Sequence, residues 1–171
     1  KNKLLWKTQP SSPVAAGAVW SAFSIEITDY WGNPRTDSDV VTVTPSSGSL
    51  GGTTGRAAVG GLATFNNITS EATGTISLIG SSGSLTPTVS SVNVTVESTA
   101  AAYFKVTGSS AMNAGGSQTI TVTAYDQYGN VATGYAGAKS ITFEGASVSA
   151  NPATAPTCDN INFGSATSIT F

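Results

Sequence analysis

Four side chains that carry oxygen atoms lie close together near position 30: Asp29, Asn33, Asp37 and Asp39. Carboxylate and amide oxygens are the ligands that calcium prefers in proteins. Their types and spacing therefore make these four residues candidate ligands of a calcium ion.

A strand-end turn is the alternative explanation for the same residues, and it is the one that we favour. In such a turn the Asp29 carboxylate accepts backbone N–H groups, Gly32 takes a positive φ, and the asparagine tolerates a left-handed conformation. The pattern Asp-x-x-Gly-Asn returns at residues 126–130. There Gly134 and Ala136 stand where the two later aspartates would lie, so the repeated feature is the turn and not the set of ligands.

Aromatic residues offer a second kind of chemistry, because a sugar ring can stack on an exposed aromatic face. Trp20, Tyr30 and Trp31 are the candidates for glycan stacking. Tyr30 and Trp31 lie on the predicted turn, where burial of both rings is difficult. The alternative is that one of these rings folds back over the end of the protein, while Trp6 packs in the core.

Two sequons, Asn67-Ile68-Thr69 and Asn93-Val94-Thr95, make Asn67 and Asn93 candidate glycosylation sites. Asn93 is expected on the outward face of its strand, and Asn67 just after a strand that ends at Phe65. The alternative is that both are chance matches in a chain rich in asparagine, serine and threonine.

Catalytic chemistry has little support in this chain. Its nine acidic residues are scattered over predicted turns and outward strand faces, without a pair placed across a cleft as glycoside hydrolysis requires. Histidine is absent, so neither a Ser-His-Asp triad nor a histidine metal site can be built. The single cysteine, Cys158, is expected to be a bystander, or alternatively to pair between chains. We predict a protein that is not an enzyme and needs no cofactor.

Charge and composition exclude further classes of partner. Seven lysines and arginines and a net charge of −2 provide no basic stripe for the phosphates of a nucleic acid. Apolar runs stay short of the roughly 18 residues of a membrane span, so no membrane insertion is expected in this segment. Charged residues make up only 9 % of the chain, which favours an extracellular or cell-surface location. The chain begins at Lys1 without a methionine, and we expect it to be a portion of a longer protein.

The elements that position these residues are predicted to be strands. Apolar and polar residues alternate along several short segments separated by turn residues, and we find no convincing helical period. The residues expected to be buried are Phe23, Ile25, Ile27, Val41, Val43, Ile76, Leu78, Val92 and Val94. About seven strands follow in the first hundred residues, as in a seven-stranded Greek-key sandwich.

The chain also repeats itself. Residues 25–33 return as residues 122–130, and Ala16-Gly17 returns as Ala114-Gly115. A period near 100 residues is the size of one small β-sandwich, which predicts two modules, at residues 1–97 and 98–171. The linker at residues 97–101 is short, so the two modules are expected to form a semi-rigid rod.

The second repeat is incomplete as given. Strands are predicted at residues 103–107, 119–126, 140–143 and 168–171, and a loop at residues 151–158. Counterparts of the later strands of the first repeat are largely missing. We therefore expect the second module to be truncated, or to be completed by a neighbouring chain that adds strands.

Five short motifs of this sequence resemble those of one known family. They are Gln9-Pro10-Ser11-Ser12, Ala16-Gly17, the turn at residues 29–33, Gly51-Gly52-Thr53-Thr54 and the strand Gly60-Gly61-Leu62-Ala63-Thr64-Phe65. Together they resemble the bacterial and archaeal Ig-like tandem repeat of secreted and surface-layer proteins, which is related to invasin and intimin modules. The resemblance implies an all-β fold of tandem Ig-like Greek-key β-sandwiches.

The expected function is that of a non-enzymatic structural component of the extracellular surface, such as a segment of a fibre, surface layer or stalk. It would assemble through strand edges and module ends, with neighbouring copies or further repeats of the same protein as partners. The alternative is an adhesin or a carbohydrate-binding accessory module of a secreted protein, with glycans as partners.

Overall fold

Short strands built from β-branched and polar residues form the regular structure of this protein. A computed structural model describes residues 2–113 and 115–171, so Lys1 and Ala114, which belongs to the Ala114-Gly115 match, lie outside the described residues. Within the described residues the protein is all-β, without a helix, and its strands form several small sheets. The described part accordingly holds no helix with the length and apolar character needed to cross a membrane.

The first segment, which we define as residues 2–97, forms more strands than the seven or so expected. They are β1 (Lys3–Thr8), β2 (Val14–Ala15), β3 (Phe23–Thr28), β4 (Val40–Pro45), β5 (Gly55–Ala57), β6 (Leu62–Phe65), β7 (Gly74–Ile76), β8 (Leu78–Ser81) and β9 (Val94–Glu97). Part of the difference arises from two interruptions. Pro10 and Pro13 separate β1 from β2, and Ser77 separates β7 from β8.

These strands pair in three small sheets around one core. Their orders are β1-β3-β6, β2-β9-β7 and β5-β4-β8, and β2 is parallel to β9 while the other pairs are antiparallel. Apolar side chains from β1, β3 and β6 meet those from β4, β7, β8 and β9 in a single buried cluster. Phe23 and Phe65, which lie opposite each other on β3 and β6, stack in that cluster at 5.2 Å between ring centroids.

Eight of the nine residues predicted to be buried are buried, and the register of β3 and β4 is therefore confirmed. Thr42 is exposed, as the alternation predicts. The prediction for Val92 is wrong, because this side chain is 50 % exposed. Ser91 pairs with Leu78 through its backbone and its hydroxyl, so the alternating strand begins only at Val94.

The second segment, residues 98–171, forms only two-stranded sheets among its described residues. Its strands are β10 (Tyr103–Thr107), β11 (Thr121–Tyr125), β12 (Ala138–Thr142), β13 (Thr157–Cys158), β14 (Ile161–Asn162) and β15 (Ala166–Thr170). They pair as β10-β11, β12-β15 and β13-β14. The prediction of a loop at residues 151–158 is wrong for its last two residues, because they form β13, which pairs with β14 in a hairpin. Asp159 and Asn160 make its two-residue turn with φ values of 50° and 63°, as a primed hairpin turn requires.

Burial is sparse in the second segment. The apolar side chains of Ile120, Val122, Ile141 and Phe143 are all only half-buried. Phe104 is 42 % exposed and contacts Tyr135 and Phe171. The described residues of this segment thus have no core comparable to that of the first segment.

Candidate functional site

The turn predicted at residues 29–33 is confirmed in detail. The Asp29 carboxylate accepts the N–H groups of Trp31 and Asn33, each at 2.9 Å, and its second oxygen accepts the Asn33 side-chain amide at 2.9 Å. Gly32 has a φ of 97°. The hydrogen bonds from the side chain and backbone of Asn33 lower the pKa of Asp29 below its ordinary value of 3.8, which keeps the carboxylate charged.

The repeated turn at residues 126–130 has the same geometry. Asp126 Oδ1 accepts the N–H groups of Tyr128 and Asn130, each at 2.9 Å, and Asn130 also donates its side-chain amide to Asp126. Gly129 has a φ of 83°. One antiparallel bridge joins the residues on either side of each turn. It pairs Thr28 with Pro34 in the first turn and Tyr125 with Val131 in the second. Sequence identity at a few positions is thus sufficient to build the same turn twice.

The environments of the two turns differ. Asp126 is completely buried although its type and place on a turn predict exposure, whereas Asp29 is only half-buried. Burial by itself would raise the pKa of Asp126. The hydrogen bonds from Asn130, Thr99 and Tyr128 outweigh burial and lower that pKa instead.

The second turn contacts the first segment and the linker. Asn130 donates its side-chain amide to Glu71 O at 2.7 Å and accepts the N–H of Thr73 at 3.1 Å. The ring of Tyr128 lies against Gly17, where a Cβ atom would overlap its phenol end. Gly17 has a φ of 73°, a conformation that glycine adopts readily. Because glycine has no side chain, the ring can also approach its backbone closely.

The linker contributes its own hydrogen bonds to this contact. Asp126 Oδ2 accepts the N–H of Thr99 at 3.1 Å, and the Ser98 hydroxyl lies 3.3 Å from that of Thr133. Thr133 also donates its N–H to Ser98 Oγ at 3.2 Å. A cleft of about 470 Å³ remains beside the contact, between Thr73 and Val131. We call this set of contacts the turn–base contact. It joins the turn at residues 126–130 to the linker and to the first segment.

No family model, curated protein or solved structure matches this chain. The turn–base contact and the positions of the other candidate residues are therefore the observations that bear on function.

The four candidate calcium ligands do not converge. Asp29 directs its carboxylate to its own turn, while Asp37 accepts the Arg35 side chain at 2.8 Å. Among residues 2–113 and 115–171 no group of three or more acidic or cysteine side chains is placed to hold a metal ion. Asp37 raises the pKa of Arg35 by this hydrogen bond and by its charge, as expected for an ion pair.

The three candidate stacking residues differ in their exposure to solvent. Trp20 is the incorrect member, because it is 2 % exposed and packs against Phe23 in the core at 6.5 Å between ring centroids. Tyr30 and Trp31 are 66 % and 81 % exposed, as the turn predicts. Their rings meet edge to face, with an interplanar angle of 88°, so they do not form one flat platform.

The two sequons also differ in their surroundings. Asn93 is exposed, as predicted, but the expectation that it lies within a strand is wrong, because β9 begins only at Val94. Asn67 is half-buried, and its side-chain oxygen accepts the N–H of Thr53 at 3.2 Å and the Arg56 guanidinium at 3.0 Å. Its amide nitrogen donates to the Thr53 hydroxyl at 3.1 Å. Asn67 is thus already used to fasten the loop before β5.

Proposed function

We propose that this chain is a non-enzymatic structural segment of a fibre, surface layer or stalk on the extracellular surface. Its two Ig-like modules, residues 1–97 and 98–171, are joined end to end and transmit orientation from one to the next. The observation that carries the proposal is the turn–base contact. A contact of this kind turns a short linker into a joint of fixed angle, which a rod requires and a flexible tether does not.

The strand order of the first segment supports an Ig-like sandwich. The order β1-β3-β6 corresponds to one sheet of such a sandwich, and β9-β7 continuing into β8-β4-β5 corresponds to the other. Strands β7 and β8 are separated by Ser77 alone, so they serve as one long strand that joins the two smaller sheets. The second segment repeats the pairing of β1 with β3 in that of β10 with β11.

The chemistry of the contact supports a joint that is permanent and not regulated. Its polar contacts are backbone groups, hydroxyls and amides, apart from the Asp126 carboxylate, whose hydrogen bonds keep it charged. Such groups keep their protonation state across the neutral pH range. The surface around them is poor in charge, which suits a stalk that must stay inert toward its surroundings.

The incomplete strand pairing of the second segment supports further repeats or copies of the same protein as partners. Strand β11 pairs only with β10 among the described residues, whereas its counterpart β3 pairs with both β1 and β6. A free edge next to half-buried apolar side chains is a place where a further strand adds favourably. We propose that further repeats or neighbouring copies of the same protein supply it.

A binding module, either an adhesin or a carbohydrate-binding accessory domain, is the second candidate function. The exposed pair Tyr30 and Trp31 is the observation that favours it. To test this candidate, cellohexaose, maltohexaose and chitohexaose are each added to the chain while the fluorescence of Trp31 is measured. A change in that fluorescence on addition of a sugar would support binding.

The rod is tested by measuring whether the two segments share one orientation in solution. Residual dipolar couplings of backbone N–H groups give an alignment tensor for each segment. We expect equal tensors in the unmodified chain and unequal ones in Asn130→Ala, which loses the hydrogen bonds to Glu71 and Thr73. Asn33→Ala, the matched change in the uncovered turn, should keep the tensors equal. Independent tensors in the unmodified chain, or equal tensors in Asn130→Ala, would refute the proposed joint.

A further inference from the structure

The sequon at residues 93–95 is open to solvent at both of the groups that define it. Asn93 and Thr95 are exposed, whereas Val94 between them is completely buried. The asparagine amide and the threonine hydroxyl therefore lie on one outward face, as side chains two residues apart in an extended chain do. N-linked glycosylation requires both groups, because its motif is an asparagine followed two residues later by serine or threonine.

The backbone around Asn93 is held by the connection between β1 and β2. Gln9 Oε1 accepts the N–H of Val92 at 3.2 Å, and Ser12 Oγ accepts the N–H of Thr95 at 2.9 Å. The pairing of β9 with β7 reaches only as far as the residue after Asn93. Asn93 therefore lies just outside the ladder, so a transferase can reach its side chain without breaking a hydrogen bond between strands.

The other sequon, at residues 67–69, is closed by comparison. The side chain of Asn67 is half-buried and forms three hydrogen bonds within the first segment. Thr69 exchanges two backbone hydrogen bonds with Gly51, at 2.9 and 3.2 Å. The side chain of Asn93, in contrast, forms no hydrogen bond with any residue that the structure describes. The fold thus uses one of the two asparagines and leaves the other accessible.

Asn93 lies at the end of β9 opposite the linker. The other end, at Glu97, continues directly into the linker and lines the cleft beside the turn–base contact. At about 3.3 Å per residue, β9 puts roughly 10 Å between Val94 and Glu97. An oligosaccharide on Asn93 therefore projects from the side of the first segment and leaves the joint uncovered.

We propose that Asn93 carries an N-linked oligosaccharide. The inference rests on the proposed extracellular function and adds a modification to it. The amide nitrogen of Asn93 forms a bond to the anomeric carbon of the sugar and releases one proton to solvent. The bond from that carbon to a lipid diphosphate breaks, and the lipid diphosphate leaves with the electron pair. Charged residues are only 9 % of the chain, so the sugar supplies hydration that few charges provide.

Transfer of an oligosaccharide to the folded full chain tests the proposal. The chain is incubated with an oligosaccharyltransferase that recognises Asn-x-Thr and with its lipid-diphosphate donor, and the products are analysed by intact mass and peptide mapping. We expect the mass to rise by one oligosaccharide, placed at Asn93. Thr95→Val, which keeps a β-branched side chain but lacks the hydroxyl, should gain none, and neither should Asn93→Gln. Asn67→Gln, the matched change in the other sequon, should still gain one.

Two unfolded peptides, residues 62–72 and 88–98, separate the effect of the sequence from that of the fold. Reaction of both peptides, together with a folded chain that is modified only at Asn93, would support the proposal. A folded chain without sugar at Asn93 would overturn it, whichever peptides react. Transfer to Asn67 equal to that at Asn93 in the folded chain would also overturn it, because exposure would then not select the site. The alignment tensors of the two segments do not depend on this sugar, so failure at Asn93 is distinguishable from failure of the proposed joint.

Discussion

The Asp126 carboxylate accepts the backbone N–H of Thr99 at 3.1 Å, so the turn that follows β11 holds the linker that precedes β10. The same carboxylate accepts the N–H groups of Tyr128 and Asn130 and is completely buried. One side chain therefore fixes the shape of the turn and the path of the linker. In the first segment Asp29 makes the same turn but is only half-buried.

We expect Asp126→Ala to destabilise the protein more than Asp29→Ala. Removing Asp126 leaves partly buried N–H groups without their acceptor, at a cost of roughly 1–3 kcal/mol in the free energy of unfolding. Water can replace the carboxylate at the more open Asp29 turn, so the matched variant should lose less. Urea unfolding followed by circular dichroism measures both. Equal losses would show that burial of the second turn adds nothing to stability.

The same carboxylate predicts a dependence on pH. The pKa of Asp126 is lower in the folded protein than its ordinary value of 3.8. Its contribution to stability is therefore fully present above pH 3.8 and is lost as the pH falls through the folded pKa. The difference in unfolding free energy between the unmodified chain and Asp126→Asn should be full at neutral pH and shrink below pH 3.8. A difference that stays constant through the acid range would contradict this.

Local patterns in the sequence predicted much of the fold. Alternation placed Val41 and Val43 in the core, because a strand with one buried face, such as β4, leaves a period of two in its residues. The turn at residues 29–33 was predictable because aspartate, glycine and asparagine each have a specific role in it. These features depend on neighbours within a few residues.

Features that depend on distant residues were not predicted. The burial of Trp20 depends on Phe23 and on the strands around it, and the exposure of Val92 depends on the pairing of Ser91 with Leu78. The turn–base contact joins Asn130 to Glu71 across 59 residues. The short linker indicated a restricted angle between modules, but alternation and turn chemistry carry no information about which surfaces meet.

Gly80 allows a test of packing between the sheets. A Cβ atom on Gly80 of β8 would overlap the end of Ile25 on β3. We expect Gly80→Ala to lower the free energy of unfolding by roughly 1–3 kcal/mol, as overpacking of a core does. Gly55→Ala is the matched control on the other side of β4, because its Cβ would make only ordinary contacts at 3.6 and 3.7 Å. A thermal midpoint for Gly80→Ala equal to that for Gly55→Ala would show that β3 and β8 do not pack as described.

The two sequons should differ in their tolerance to change. Asn67 receives hydrogen bonds from Thr53 and Arg56 and returns one to the Thr53 hydroxyl. Asn67→Ala should therefore lower the thermal midpoint, since the loop before β5 loses its fastening and each hydrogen bond contributes about 1 kcal/mol. Asn93→Ala should leave the midpoint unchanged, because Asn93 is exposed and β9 begins after it. Differential scanning calorimetry of the two variants beside the unmodified chain compares them directly. If the loss at Asn67 were no larger than at Asn93, the loop would be held by its backbone alone. In that case Asn67 would be as free as Asn93 to carry a glycan.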